Sequence, residues 1–217
     1  MARTVFVTGG DRGLGFTLCA KLLEQGWQVF AGQYLPEWPD LSILAGQHPQ
    51  TLHIVPLDVS SVESTYGAAQ TVATVTDHVD VLINNAGIYS PTAGRPIREP
   101  QDYTEMHRLY DVNALGPLRV VAAFLSQTDH GNLKRLCFVS SEAGGIARAE
   151  RTAWFGYCMS KAALNMGVKI LFKDLYAGGY TFRVYHPGWI RSYMSGEKTW
   201  RQLWSRRRPP PRLSPSF

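Results

Sequence analysis

The 217-residue sequence predicts an α/β fold, a doubly wound parallel sheet of about six strands flanked by helices on both faces. Three observations predict it. Short apolar runs alternate with longer segments of helical period along most of the chain. The apolar runs lack period-two alternation, which marks strands covered on both faces and hence a parallel sheet between helix layers. The first run meets a cluster of glycines and passes at once into a helical pattern, as a strand–turn–helix unit requires.

The elements follow in order. Residues 3–8 (RTVFVT) form a buried strand, and residues 14–25 a helix with Leu14, Leu18, Leu22 and Leu23 along one face, ended by Gly26. Residues 28–31 are a second strand and Leu52–Pro56 a third; no helix is expected between them. Ser60 or Ser61 caps a helix over residues 62–76. Residues 79–83 (VDVLI) are the fourth strand. Residues 100–126 are helical, disturbed at Gly116-Pro117 because proline lacks the N–H of the helical ladder. Residues 133–140 are the fifth strand, 153–176 a long helix with Ala162, Leu164 and Ile170 on its apolar surface, and 180–186 the sixth strand. Crossovers between parallel strands are right-handed, and ligands of such sheets sit at the carboxyl ends of the strands.

Composition bounds the functions. Hydrophobic residues make up 45% and charged residues 18%, a soluble globular balance that excludes a disordered, collagenous or coiled-coil body. No apolar stretch is long enough to span a bilayer, and the N-terminus is not a secretory signal. Three cysteines, Cys19, Cys137 and Cys158, give no disulfide framework or zinc knuckle, so a reducing, cytoplasmic location is expected. Residues 199–217 hold five of the 22 basic residues and no acid, so the remaining 17 basic groups match 17 acidic ones. One domain over residues 1–198 and a disordered Arg/Pro-rich tail over 199–217 are expected, with neither nucleic acid nor membrane as partner.

The residues that carry chemistry fall at strand ends. Thr8-Gly9-Gly10-Asp11-Arg12-Gly13-Leu14-Gly15 joins the first strand to the first helix. Glycines there permit a tight turn and close approach of backbone N–H groups to a pyrophosphate, and the helix dipole favours the anion. The spacing is T-G-x-x-x-G-x-G rather than the familiar G-x-G-x-x-G. Tyr157 and Lys161 lie at i and i+4, on one helix face. Lowering a phenol from about 10 to about 7 takes about 4 kcal/mol, and an ammonium about 4 Å away at an effective dielectric near 20 supplies about that much.

Together these motifs resemble the compact branch of the short-chain dehydrogenase/reductase family, with a Rossmann-like fold, over about residues 3–194. Asn84-Asn85-Ala86-Gly87 matches the family's N-N-A-G, Tyr157-Cys158-Met159-Ser160-Lys161 its Y-x-x-x-K, and Pro187-Gly188 the start of its loop after the sixth strand. The resemblance implies a dinucleotide held by Gly9, Asp11, Arg12, Gly13, Leu14, Gly15, Asp58, Val59, Asn85, Ala86, Gly87, Tyr157, Lys161, Pro187, Gly188, Ile190 and Ser192, with Asp58 against the adenine and Ser192 beside the carboxamide. It implies catalysis by Asn113, Ser141, Tyr157 and Lys161. Tyr157 is the general acid or base, and Lys161 lowers its pKa and bonds the nicotinamide ribose. Ser141 hydrogen-bonds the substrate oxygen, and Asn113 holds a water that relays protons. Ser140 competes for the serine role.

NAD preference needs an acid after the second strand, but Gln33 and Tyr34 stand there, and Arg12 is placed to meet a 2′-phosphate. NADP is therefore favoured over NAD. The expected function is an NAD(P)-dependent oxidoreductase acting on a small carbonyl or secondary alcohol, as a homodimer by resemblance. Two departures are notable. Residues 145–156 form a longer loop than is usual, expected to line the substrate entrance. No seventh-strand pattern follows Ser195, so the usual C-terminal strand is expected to be lacking. That departure gives a second reading, a catalytically weak or inactive nucleotide sensor. A sugar-nucleotide epimerase fits neither the glycine spacing nor the chain length.

Overall fold

The structure is a computed structural model and describes residues 3–188. Its strands are β1 (Thr4–Val7), β2 (Gln28–Gln33), β3 (Leu52–Pro56), β4 (Val81–Asn84), β5 (Arg135–Val139) and β6 (Thr181–Tyr185). They form one parallel sheet in the order β3-β2-β1-β4-β5-β6. The helices are α1 (Gly13–Glu24), α2 (Pro39–Gln47), α3 (Val62–Ala73), α4 (Tyr103–Tyr110), α5 (Gly116–His130) and α6 (Phe155–Leu175).

Alternate residues of each strand feed opposite layers. Phe6, Phe30, Leu82, Leu136 and Phe138 pack with Val72 of α3, Val120 and Phe124 of α5, and Leu164 and Val168 of α6. Val5, Val7, Val29, Ala31 and Cys137 pack with Cys19 and Leu23 of α1 and Leu41 of α2. The rings of Phe6 and Phe124 meet at 4.3 Å between centroids, both fully buried. Burying such a ring contributes about 1.5–3 kcal/mol. Strand order reverses between β1 and β4, which opens a crevice at their carboxyl ends.

Three local differences from the sequence pattern have physical causes. The helix α2 was not expected, because prolines and polar residues surround it. Its signal is Leu41, Leu44 and Ala45 at i, i+3 and i+4, all in the second core, with Pro39 at its start where no N–H is needed. The expected strand at residues 79–83 enters the ladder only at Val81, since the N–H of Val79 bonds the Gln127 carbonyl at the end of α5. Residues 100–126 are two helices. A π-helical turn, Asp111–Leu115, separates α4 from α5, one turn before Gly116-Pro117. Pro117 has no N–H for the carbonyl four residues back, and the backbone widens ahead of it. Gly116 permits close contact with Val59, where a Cβ would stand 3.0 Å from a Val59 methyl. Among the described residues, β6 has a neighbour on one side only. The expectations about a seventh strand and the tail lie outside the described residues.

Candidate active site

The glycine-rich turn sits at the carboxyl end of β1, in the crevice. Gly9 and Gly13 have φ of +65° and +58°, the left-handed region that glycine enters without strain. Gly15 has no room for a side chain: a Cβ would collide with the Gly9 carbonyl oxygen. The turn is tied to β2 by Gly10 N–H donating to Gly32 at 2.8 Å. At its far end α1 begins with no side-chain cap and no acidic residue in its first turn. Its first N–H groups and dipole are thus left for an external anion; Leu14 lies in that first turn.

Asp11 is buried beneath the turn and accepts from the backbone N–H of Tyr34, and burial pushes its carboxyl pKa up. It braces the loop after β2 against the turn. Arg12 stacks on Trp38 in that loop, its guanidinium 5.0 Å from the ring centroid. The buried Gln33 Nε2 has no hydrogen-bond partner among the described residues. At the end of β3, Asp58 Oδ1 accepts from the backbone and hydroxyl of Ser60 at 2.8 and 2.6 Å. Val59 packs beside it against Gly116.

The segment after β4 is locked onto the turn. Asn85 Nδ2 donates to the carbonyls of Thr8 and Gly9 at 2.9 and 3.1 Å. The backbone N–H groups of Asn85 and Ala86 both donate to the Thr8 hydroxyl at 2.9 Å. Gly87 then leads to Ile88. Asn113, fully buried in the π-helical turn, accepts from Ile88 N–H at 2.8 Å and donates to Ile88 C=O at 2.9 Å and to Ser160 Oγ at 3.1 Å. Its side-chain amide therefore binds protein on three sides. The Asn113 side chain thereby joins the β4 loop to α6.

Beyond β5 the two serines diverge. Ser140 is buried and donates to Asn165 Oδ1 at 2.7 Å. Ser141 Oγ accepts from Ala143 N–H at 3.1 Å and lies near enough to the Tyr157 phenol to lower its pKa. Lys161 is 3% exposed, and Nζ donates to the Val139 carbonyl at 3.1 Å. It lies 5.9 Å from the Tyr157 ring centroid. Burial lowers the Lys161 pKa to about 8. Burial likewise raises that of Tyr157 and outweighs the lowering by Ser141 and Arg151. Desolvation sets the direction of the Tyr157 shift here, and the Lys161 ammonium turns toward the Val139 carbonyl. Pro187 and Gly188 follow β6, with Gly188 at φ +74°; Ile190 and Ser192 lie outside the described residues.

The family profile described as short chain dehydrogenase matches residues 3–202. The chain belongs to the short-chain dehydrogenase family. It is 34% identical over 197 residues to an uncharacterized oxidoreductase of Schizosaccharomyces pombe, covering 90% of this chain and 76% of that protein. Among solved structures it resembles an NADPH-bound carbonyl reductase from chicken fatty liver, with TM-score 0.81 and 30% identity over 89% of this chain and 82% of that one. The carbonyl reductase Sniffer of D. melanogaster gives TM-score 0.82 and 26% identity over 89% and 84%.

A nicotinamide dinucleotide is the cofactor this short-chain dehydrogenase fold implies, and the residues fit one. The uncapped start of α1 suits a pyrophosphate. The buried Lys161 ammonium has three donors, one of which goes to the Val139 carbonyl. The role of the Thr8 hydroxyl, the Tyr89 ring and the backbone conformation of Trp154 escaped sequence reasoning. Thr8 was seen only as the head of the glycine motif, yet its hydroxyl anchors two N–H groups from the β4 loop. Tyr89 and Trp154 stand beside Tyr157, with ring centroids 5.9 Å apart for Tyr89–Tyr157 and 5.1 Å for Tyr89–Trp154. Trp154 lies in the 145–156 loop expected to line the substrate entrance, but nothing local marks its φ of +69°.

Proposed function

We propose that this protein is an NADP-dependent carbonyl reductase or alcohol dehydrogenase for a small-molecule substrate. The observation that carries the reading is the placing of Ser141 and Tyr157 within mutual influence beside the buried Lys161, at the carboxyl ends of the same sheet that bears the glycine turn. NADPH or NADP in similar solved structures supports the cofactor type. The intact Asn113, Ser141, Tyr157 and Lys161 set and the oxidoreductase relatives disfavour a silent nucleotide sensor.

A bound nicotinamide supplies or accepts the hydride at the carbonyl carbon. Tyr157, whose phenol holds its proton at neutral pH, donates it to the carbonyl oxygen during reduction and takes it back during oxidation. Ser141 donates a hydrogen bond to that oxygen as charge develops, an interaction of the kind worth about 3–4 kcal/mol. Lys161 offers its free donors to the ribose hydroxyls, and its charge then stabilises the phenolate. Arg12, held by Trp38, meets the 2′-phosphate, a role for which Arg geometry is suited. A homodimer completes the reading by family resemblance.

The test is a titration with NADPH and NADH, followed by nicotinamide fluorescence and melting temperature. NADPH is expected to bind more tightly and to raise the melting temperature. Tighter NADH would reverse the cofactor choice, and binding of neither would reject the enzyme reading. Arg12→Ala should weaken NADPH about tenfold or more and leave NADH unchanged.

A further inference from the structure

Trp154 is a poor residue for the place it occupies. It is the residue before α6, at φ +69°, ψ +35°, and its side chain caps nothing. A bulky residue in the left-handed region is an outlier that asks for a function. Lys134 is the other non-glycine residue of this kind among the described residues.

The surroundings hold the indole in place. Gly94 makes room for it: a Cβ there would stand 3.2 Å from Trp154 Cδ1 and Nε1 and 3.5 Å from the Tyr89 hydroxyl. The short 3-10 turn Thr92–Gly94 is itself fixed by Thr92 Oγ1 donating to Asp102 Oδ2 at 2.9 Å. Arg151 covers one face of the indole at 5.7 Å from the centroid and is pinned at 2.6 Å by Glu142, the neighbour of Ser141. Trp154 and Tyr89 are both half-buried. The planes are tilted by 52° between Tyr89 and Trp154 and by 78° between Tyr89 and Tyr157. The result is a three-ring wall, Tyr157 to Tyr89 to Trp154, with the indole held by Gly94 and Arg151.

We propose that Tyr89 and Trp154 are specificity-determining residues that select carbonyl substrates bearing a planar aromatic ring next to the C=O. This rests on the reductase reading above and names its substrate class. The oxygen is fixed by Tyr157 and Ser141, so a substituent on the carbonyl carbon lies along the ring wall. A flat ring gains face and edge contacts there that a flexible alkyl chain does not.

The experiment compares acetophenone with 2-octanone, ketones of equal carbon count, as substrates with NADPH. The wild-type protein is set beside Trp154→Asn and Trp154→Phe. Asparagine tolerates the left-handed backbone, so Trp154→Asn removes the ring without disturbing the start of α6, and NADPH affinity and melting temperature report its integrity. The expectation is a wild-type preference for acetophenone. In Trp154→Asn, kcat/KM for acetophenone should fall about tenfold or more, while 2-octanone changes less than about threefold. Trp154→Phe should keep most of the preference. Equal losses on both ketones, or no wild-type preference, would overturn the proposal. Calorimetric titration of acetophenone into the NADP complex separates this from the reductase reading. Trp154-dependent binding without turnover of either ketone would keep the ring wall and reject the reductase. Turnover of both ketones without Trp154 dependence would do the reverse.

Discussion

A buried ammonium with a carbonyl for a partner destabilises the protein that carries it, and Lys161 is such a group. Its pKa in the folded protein is about 8, against about 10.4 in an unfolded chain. Between those values the unfolded chain binds more protons, so stability rises with pH across that window and the penalty is fully present below it. Lys161→Met should therefore raise the melting temperature at pH 7 by several degrees and flatten its rise between about pH 8 and 10. The same variant should lose turnover; calorimetry and a ketone assay check the two halves. Tyr157→Phe should lower kcat by about a thousandfold or more with little change in NADPH affinity. The i, i+4 spacing of this pair was legible in the sequence, since it depends only on helix geometry. Its electrostatics were not, because spacing assigns a face but says nothing of depth or of which carbonyl lies within reach.

At the scale of elements, the π-helical turn joins two halves of the site. Asn113→Ala would leave the N–H and C=O of the half-buried Ile88 without the fully buried amide that partners them. Unsatisfied buried groups cost about 1–3 kcal/mol each, so the melting temperature should drop by roughly 5–15 °C; differential scanning calorimetry would show it. Gly15→Ala would drive a methyl into the Gly9 carbonyl and should abolish dinucleotide binding, since the turn must open to accept it. The strands were legible because apolar runs bounded by glycine and polar residues leave few alternatives. Helix α2 was not, as its three core residues are diluted by prolines and polar neighbours. The break in the 100–126 segment was foreseen from Gly116-Pro117, but its position one turn earlier follows from the carbonyl that proline leaves without a donor.

Over the whole molecule, the strand order puts the glycine turn of β1 and the loop of β4 side by side, with β5 delivering Ser141 next to them. No helix among the described residues is long and apolar enough to cross a membrane. The alternation of strands and helices was enough to predict this sheet, since right-handed crossovers leave few arrangements. The 145–156 loop was expected to line the substrate entrance, but the Trp154 backbone conformation and its packing on Gly94 were not legible, because they arise only from tertiary contact. The Thr8 hydroxyl, almost fully buried, takes both the Asn85 and the Ala86 amide. Those amides belong to a loop, yet in deuterated solvent they should exchange as slowly as the central strands, released only by global opening. A cofactor cradle of that rigidity exists before any ligand arrives, so little ordering entropy is lost on binding. Association should then follow a single exponential whose rate grows linearly with nucleotide concentration, without the saturation that a slow closing step would impose.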